Sequence, residues 1–189
     1  MNNIKVAIVG AGSAARLHLQ AYRKCPDVEV TAICGSNLDR ARAFESEFSV
    51  RPYLSIEEML DKERPDLVSV TTLEWDHERP VLLSLEAGCH VLCEKVMAHT
   101  ISVAETMLAT ARRVGRTLGV NYNYRNVPSH AVIKEAIACG SFGEPALYVA
   151  HMHSYLWAHM IDLIRYFFGD PVEVTAALVD VQRDRKSVV

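Results

Sequence analysis

The chain has 189 residues, half of them hydrophobic, and a formal net charge of −3 at neutral pH. That length supports one full domain and part of a second, and the scattered basic residues exclude a nucleic-acid face or a polybasic membrane patch. No apolar run approaches the roughly 20 residues that span a bilayer, and the N-terminal residues carry no cleavable leader pattern, so the expectation is a soluble cytoplasmic protein.

The first predicted element is a strand, Ile4–Val9. It runs into Gly10-Ala-Gly12-Ser13-Ala14-Ala15 and then a helical pattern, Ala14–Lys24, stopped before Pro26. Strand, glycine turn and helix in this order form a dinucleotide-binding motif. Gly10 permits the sharp turn, Gly12 leaves room for a pyrophosphate, and Ala15 lets the helix pack against the strand. The helix then offers free N–H groups and its positive end to the phosphates. A glycine-rich methyltransferase loop is the competing reading; the apolar first strand and a later lysine argue against it.

Alternation continues along the chain. A strand is expected at Val28–Cys34, a helix at Leu38–Phe48, a short strand at Arg51–Tyr53 and a helix at Ile56–Glu63. A strand at Leu67–Thr71 and a helix at Glu78–Ala87 follow, with Pro80 in the first helical turn and Gly88 as the stop. Next come a strand at His90–Cys93, a helix at Ser102–Val114 with Ser102 and Glu105 as a capping box, and a strand at Thr117–Val120. The fold class is therefore α/β: a doubly wound parallel sheet of the Rossmann type over residues 1–122. Past Tyr122 the pattern changes to a polar, aromatic bridge, a helix at His130–Cys139, a strand at Ala146–His153, a helix at Trp157–Phe168 and a strand at Val172–Val181. Residues 123–189 read as a partial α+β second domain.

The five cysteines, an odd count on apolar elements, read as reduced, buried thiols. Cys89 and Cys93 bracket a strand, so they stand roughly 13 Å apart and cannot share a zinc ion. His151 and His153 alternate on a predicted strand, roughly 7 Å apart on one face. No Asp, Glu or Cys completes a ligand set with them and His159, so no metal is expected.

Ligands on open α/β sheets lie beyond the carboxyl ends of the strands. Gly10–Ala15, Thr71–His77 and Glu94-Lys95 all fall there. A lysine at such a mouth is a candidate acid or base, because its charge state responds to burial. The second strand ends in Gly35, where an NAD site places an acid for the ribose hydroxyls; Ser36, Asn37 and Arg40 follow. Without that acid a 2′-phosphate is no longer repelled, and small polar groups with an arginine can hold it. The expected cofactor is NADP, with NAD as the alternative.

Several ordered motifs resemble the Gfo/Idh/MocA oxidoreductases. His90-Val-Leu-Cys-Glu-Lys95 resembles that family's Glu-Lys-Pro segment. Thr71, Thr72 and His77 resemble its Thr-Pro-Asn-x-x-His loop. Asn123, Arg125 and Pro128 resemble its Asn-x-Arg-x-x-Pro bridge, and His159 to Asp162 its His-x-x-Asp helix. The resemblance implies hydride transfer between a nicotinamide and a sugar, polyol or related carbinol. Lys95 and His159 would handle the proton, with Asp162 one helical turn on orienting His159. Glu94, His77 and Asn123 would line the cofactor site. A homo-oligomer built through the second-domain sheet is the expected assembly.

Three departures from the family pattern stand out. Val96 replaces the proline after the lysine, Tyr155 stands where an acid normally precedes the helix histidine, and the chain stops at Val189, short of what the family's second-domain sheet needs. Only five residues separate His153 from His159, and the run from Arg183 to Val189 does not read as the end of a finished sheet, so residues are expected to be missing, with a break between His151 and Trp157 or between Val181 and Val189. A non-catalytic dinucleotide-binding sensor or assembly subunit is the competing function.

Overall fold

The computed structural model describes residues 3–144, 146–149 and 156–173. The chain divides into two compact units, Met1–Tyr122 and Asn123–Val189.

The first unit is a six-stranded sheet of order β3-β2-β1-β4-β5-β6, parallel throughout. Its strands are β1 (Ile4–Val9), β2 (Val28–Cys34), β3 (Arg51–Tyr53), β4 (Leu67–Val70), β5 (His90–Cys93) and β6 (Leu118–Val120). The helices between them are α1 (Ser13–Tyr22), α2 (Leu38–Phe48), α3 (Ile56–Glu63), α4 (Glu78–Glu86) and α5 (Ile101–Val114). This is a Rossmann-like doubly wound fold. The strand order reverses between β1 and β4, which opens the crevice where such sheets bind ligands.

Side-chain alternation along the strands builds one core on each face. Ala7, Val9, Ala32, Cys34, Val68, Val70, Val91 and Cys93 face α3, α4 and α5. Ile8 and Ile33 point the other way, into Ala15 and Leu19 of α1 and Ala41, Phe44 and Phe48 of α2. Ser69 is fully buried in β4, in register with Ile8 of β1. It is a polar residue on a strand that is otherwise valine and leucine.

Several predicted boundaries move. Helix α1 ends at Tyr22, two residues early, because the chain turns through Lys24 N–H to Ala21 O and Cys25 N–H to Tyr22 O before Pro26. The capping box at Ser102 is corrected: Thr100 is the N-cap of α5 and accepts from Val103 N–H at 3.3 Å. Thr71 lies just beyond β4, and a short 3₁₀ turn, Glu74–Asp76, precedes α4.

In the second unit a 3₁₀ turn covers Asn123–Asn126, followed by α6 (Pro128–Ala138) and α7 (Trp157–Phe168). Helix α6 begins two residues earlier than expected, because Pro128 fits the first turn, where its missing N–H is no loss. Residues 146–149 are not in a strand, and neither are Val172 and Glu173. The remainder of both predicted strands, with His151, His153, Tyr155 and the expected chain breaks, lies outside the described residues. Among the described residues no helix is long and apolar enough to cross a membrane, and no group of three or more His, Cys, Asp or Glu is placed to hold a metal.

Candidate active site

The glycine turn closes the carboxyl end of β1. Gly10 has φ +105°, and a Cβ there would meet the Thr71 backbone at 2.8 Å, so both the turn and the close approach of β4 require glycine. Thr71 reinforces the contact: its N–H donates to Val9 O at 2.7 Å, and its hydroxyl donates to Val9 O at 3.0 Å. The Thr72 hydroxyl similarly donates to Asp76 O. Both threonines thus hold backbone at the crevice.

Gly12 differs. A Cβ there would meet no protein atom within 4 Å. It is the N-cap of α1, supplies no side-chain cap, and is followed by no acid in the first turn. The N–H groups at Ser13 and Ala14 and the positive helix end are therefore left for an external anion. Ala11, Gly12, Ser13, Arg16, Arg40, Ala43 and Phe44 line a depression of about 380 Å³ over this turn. Arg16 packs over the rings of Phe44 and Phe48 and pairs with Glu47, which fixes one wall. A dinucleotide pyrophosphate fits these donors and this open space.

Beyond β2, Gly35 is buried, and a Cβ on it would lie 3.0 Å from the Ala11 Cβ. Ser36 and Arg40 are exposed. The Asn37 side chain caps α2, accepting from Arg40 N–H at 3.0 Å. Asn37 therefore shapes this corner through α2, with its side-chain oxygen already engaged.

His77 is fully buried between two loops. Its Nδ1 lies 3.0 Å from Val96 O and its Nε2 3.1 Å from Thr72 O. It ties the loop after β4 to the segment following Lys95. The Lys95–Val96 peptide is cis, and Val96 O is anchored on His77 although the family's proline is absent.

Glu94 and Lys95 follow β5 directly, and both are partly buried. Glu94 Oε1 faces His18 Nε2 at 2.9 Å and accepts from Asn121 Nδ2 at 2.7 Å, while Oε2 accepts from Lys95 N–H at 3.2 Å. Burial alone would raise the Glu94 carboxyl. The hydrogen bonds from His18 and Asn121, the charge of His18 and the Lys95 N–H outweigh it and hold the carboxyl at about 2. On its far side, His18 Nδ1 lies 2.6 Å from Ser69 Oγ. Sequence reasoning missed His18, Ser69 and Asn121. The available signal was a histidine on the inward face of α1, one turn after Ala15 and beside Leu19.

In the second unit His159 is buried near the start of α7, and the Tyr124 ring stacks on it at 4.3 Å with 11° between planes. Asp162 is also buried, but both its oxygens accept from Arg125, at 2.5 and 2.7 Å. The 3₁₀ turn thus supplies Tyr124 to the histidine and Arg125 to the aspartate. Asn123 starts that turn and is exposed.

A family model for an oxidoreductase family with an NAD-binding Rossmann fold, Gfo/Idh/MocA, matches residues 4–122. The chain belongs to this family. Among curated members it is 35% identical over 143 residues to D-glucoside 3-dehydrogenase of Escherichia coli, covering 75% of this chain and 41% of the relative. To D-apiose dehydrogenase of Paraburkholderia graminis it is 29% identical, covering 94% and 53%. This Gfo/Idh/MocA chain thus spans about half the length of the curated relatives it matches.

Two solved structures are similar to the chain. The 3-ketoreductase KijD10 of Actinomadura kijaniata, in complex with NADP and TDP-benzene, is 31% identical over 76% of this chain and 44% of its own, with a TM-score of 0.70. GenD2 from gentamicin A biosynthesis, in complex with NAD, has a TM-score of 0.81 at 21% identity, covering 90% and 55%, a likeness of fold alone.

Proposed function

We propose that this Gfo/Idh/MocA protein is an NADP-dependent oxidoreductase acting on a carbinol carbon of a sugar or polyol. The observation that carries the reading is Lys95, directly beyond β5 in the same sheet as the open, uncapped phosphate turn at Gly12. Dehydrogenases and reductases of sugars among the relatives support the substrate class. The nicotinamide, when bound, supplies or accepts the hydride.

The chain's own residues do the rest. N–H groups at Gly12, Ser13 and Ala14 bind the pyrophosphate, with Gly10, Thr71, Thr72 and His77 holding the crevice open around it. Lys95 Nζ holds or takes the hydroxyl proton, and His159 is a second proton-handling candidate on the family resemblance. Exposed Arg40, with Ser36 beside Gly35, supports NADP over NAD, since a guanidinium pairs well with a 2′-phosphate. An acid at Gly35 would press on Ala11, so Arg40 gives the cleaner test. Arg40→Ala should weaken NADPH binding about tenfold and NADH binding less than twofold, by fluorescence titration. Equal losses for both cofactors would overturn the NADP assignment. A homo-oligomer formed through the second unit belongs to the same proposal; light scattering of the full chain tests it.

A further inference from the structure

We propose that His18 is a positioning residue that fixes the main chain of Lys95 through the Glu94 carboxylate, and so links helix α1 to the proton-handling lysine. This rests on the role given to Lys95 above. The bonds run without interruption from Ser69 on β4 to His18 on α1, then to Glu94 beyond β5, with Asn121 beyond β6 bracing the same oxygen.

Atom by atom the arrangement leaves little freedom. A carboxylate only accepts, so His18 Nε2 is the donor to Glu94 Oε1. Oε1 therefore takes donors from His18 and Asn121, and Oε2 takes the Lys95 N–H. With both oxygens engaged, the carboxylate cannot rotate, and the root of the Lys95 side chain is held with it. A fixed root narrows where Nζ can reach, which is what a proton-transfer group requires.

Stability alone does not account for this cluster. His18 and Ser69 are buried on elements whose other inward residues are apolar. Well-packed hydrophobic side chains often stabilise such a place as well as a buried ion pair does. Among the described residues the cluster meets the proposed reacting region through Glu94 and the Lys95 N–H. His18, midway along the chain of bonds, sits on α1, whose first turn, at Ser13, is proposed to bind the phosphates.

The test compares His18→Gln, which can still donate to Glu94 from the Nε2 position, with His18→Asn, which reaches only the Nδ1 position beside Ser69. Turnover is followed by nicotinamide absorbance with NADP and a sugar and polyol panel. In parallel, lysines are reductively methylated with ¹³C-formaldehyde, and the Lys95 signal is assigned with Lys95→Arg. The expected result for His18→Asn is a kcat at least tenfold lower, KM within about threefold, and a displaced Lys95 methyl signal. His18→Gln should keep kcat within about threefold of wild type and leave the signal in place. Equal losses in both variants, or a Lys95 signal unmoved in His18→Asn, would overturn the proposal. If the wild type turns over nothing on the panel, the oxidoreductase reading fails and the Lys95 signal alone decides the role of His18. If His18→Asn does not fold, Glu94→Gln replaces it: its amide places a donor against one of the donors it now meets, so the signal must move, and an unmoved signal refutes the link.

Discussion

Gly10 and Gly12 stand two residues apart and serve different ends. Gly10 has a positive φ and no room for a Cβ, so Gly10→Ala should destabilise the first unit by about 1–3 kcal/mol, read as a fall in the denaturation midpoint. Gly12 has open space around it, so Gly12→Val should cost at most about 1 kcal/mol of stability. It should nevertheless abolish cofactor binding, because the branched side chain occupies the phosphate position. Isothermal titration with NADPH checks this, and unchanged affinity would contradict the phosphate assignment. Glu94 makes a pH prediction. Its carboxyl is held at about 2 against an ordinary 4.5, so it stabilises the fold above pH 4.5, and that contribution is lost as the pH falls toward 2. Glu94→Gln should therefore lower the Tm at neutral pH, and the gap to wild type should narrow between pH 4.5 and pH 2. A gap independent of pH would contradict the hydrogen bonds that hold this carboxylate.

At the scale of elements, helix ends follow local chemistry that is only partly written in spacing. Ser102 with Glu105 reads as a capping box, yet Thr100 holds the cap of α5, because its extended backbone turns the hydroxyl onto Val103 N–H. Thr100→Ala should cost about 0.5–2 kcal/mol, and Ser102→Ala less, measured by denaturant unfolding. The six strands of the first unit were legible because short segments alternating with helices fit a parallel sheet covered on both faces. The His18 cluster was not legible. Its members come from residues 18, 69, 94 and 121, and only the sheet order brings them together. The same limit applies to Asp162: helical spacing placed it near His159, but the partner it takes, Arg125, comes from a turn 37 residues earlier.

At the scale of the whole molecule, the glycine turn, the β5 lysine and the order of the motifs identified the family from sequence, because each motif ties a residue type to the end of a particular element. The core follows the same logic. Leu19 is fully buried between β1, β2 and α2, and Leu19→Ala should cost about 2–5 kcal/mol while removing no group that faces the cofactor. In the proposed reaction a nicotinamide dinucleotide seated on the Gly12 turn reacts under the control of Lys95. The most direct measurement pairs NADPH binding with turnover on the sugar and polyol panel, for wild type and Lys95→Met. In Lys95→Met, cofactor affinity should stay within about threefold of wild type and turnover should fall by a factor of roughly 10² or more. Wild-type turnover retained in Lys95→Met, or no NADP or NAD binding by the wild type, would contradict this reading.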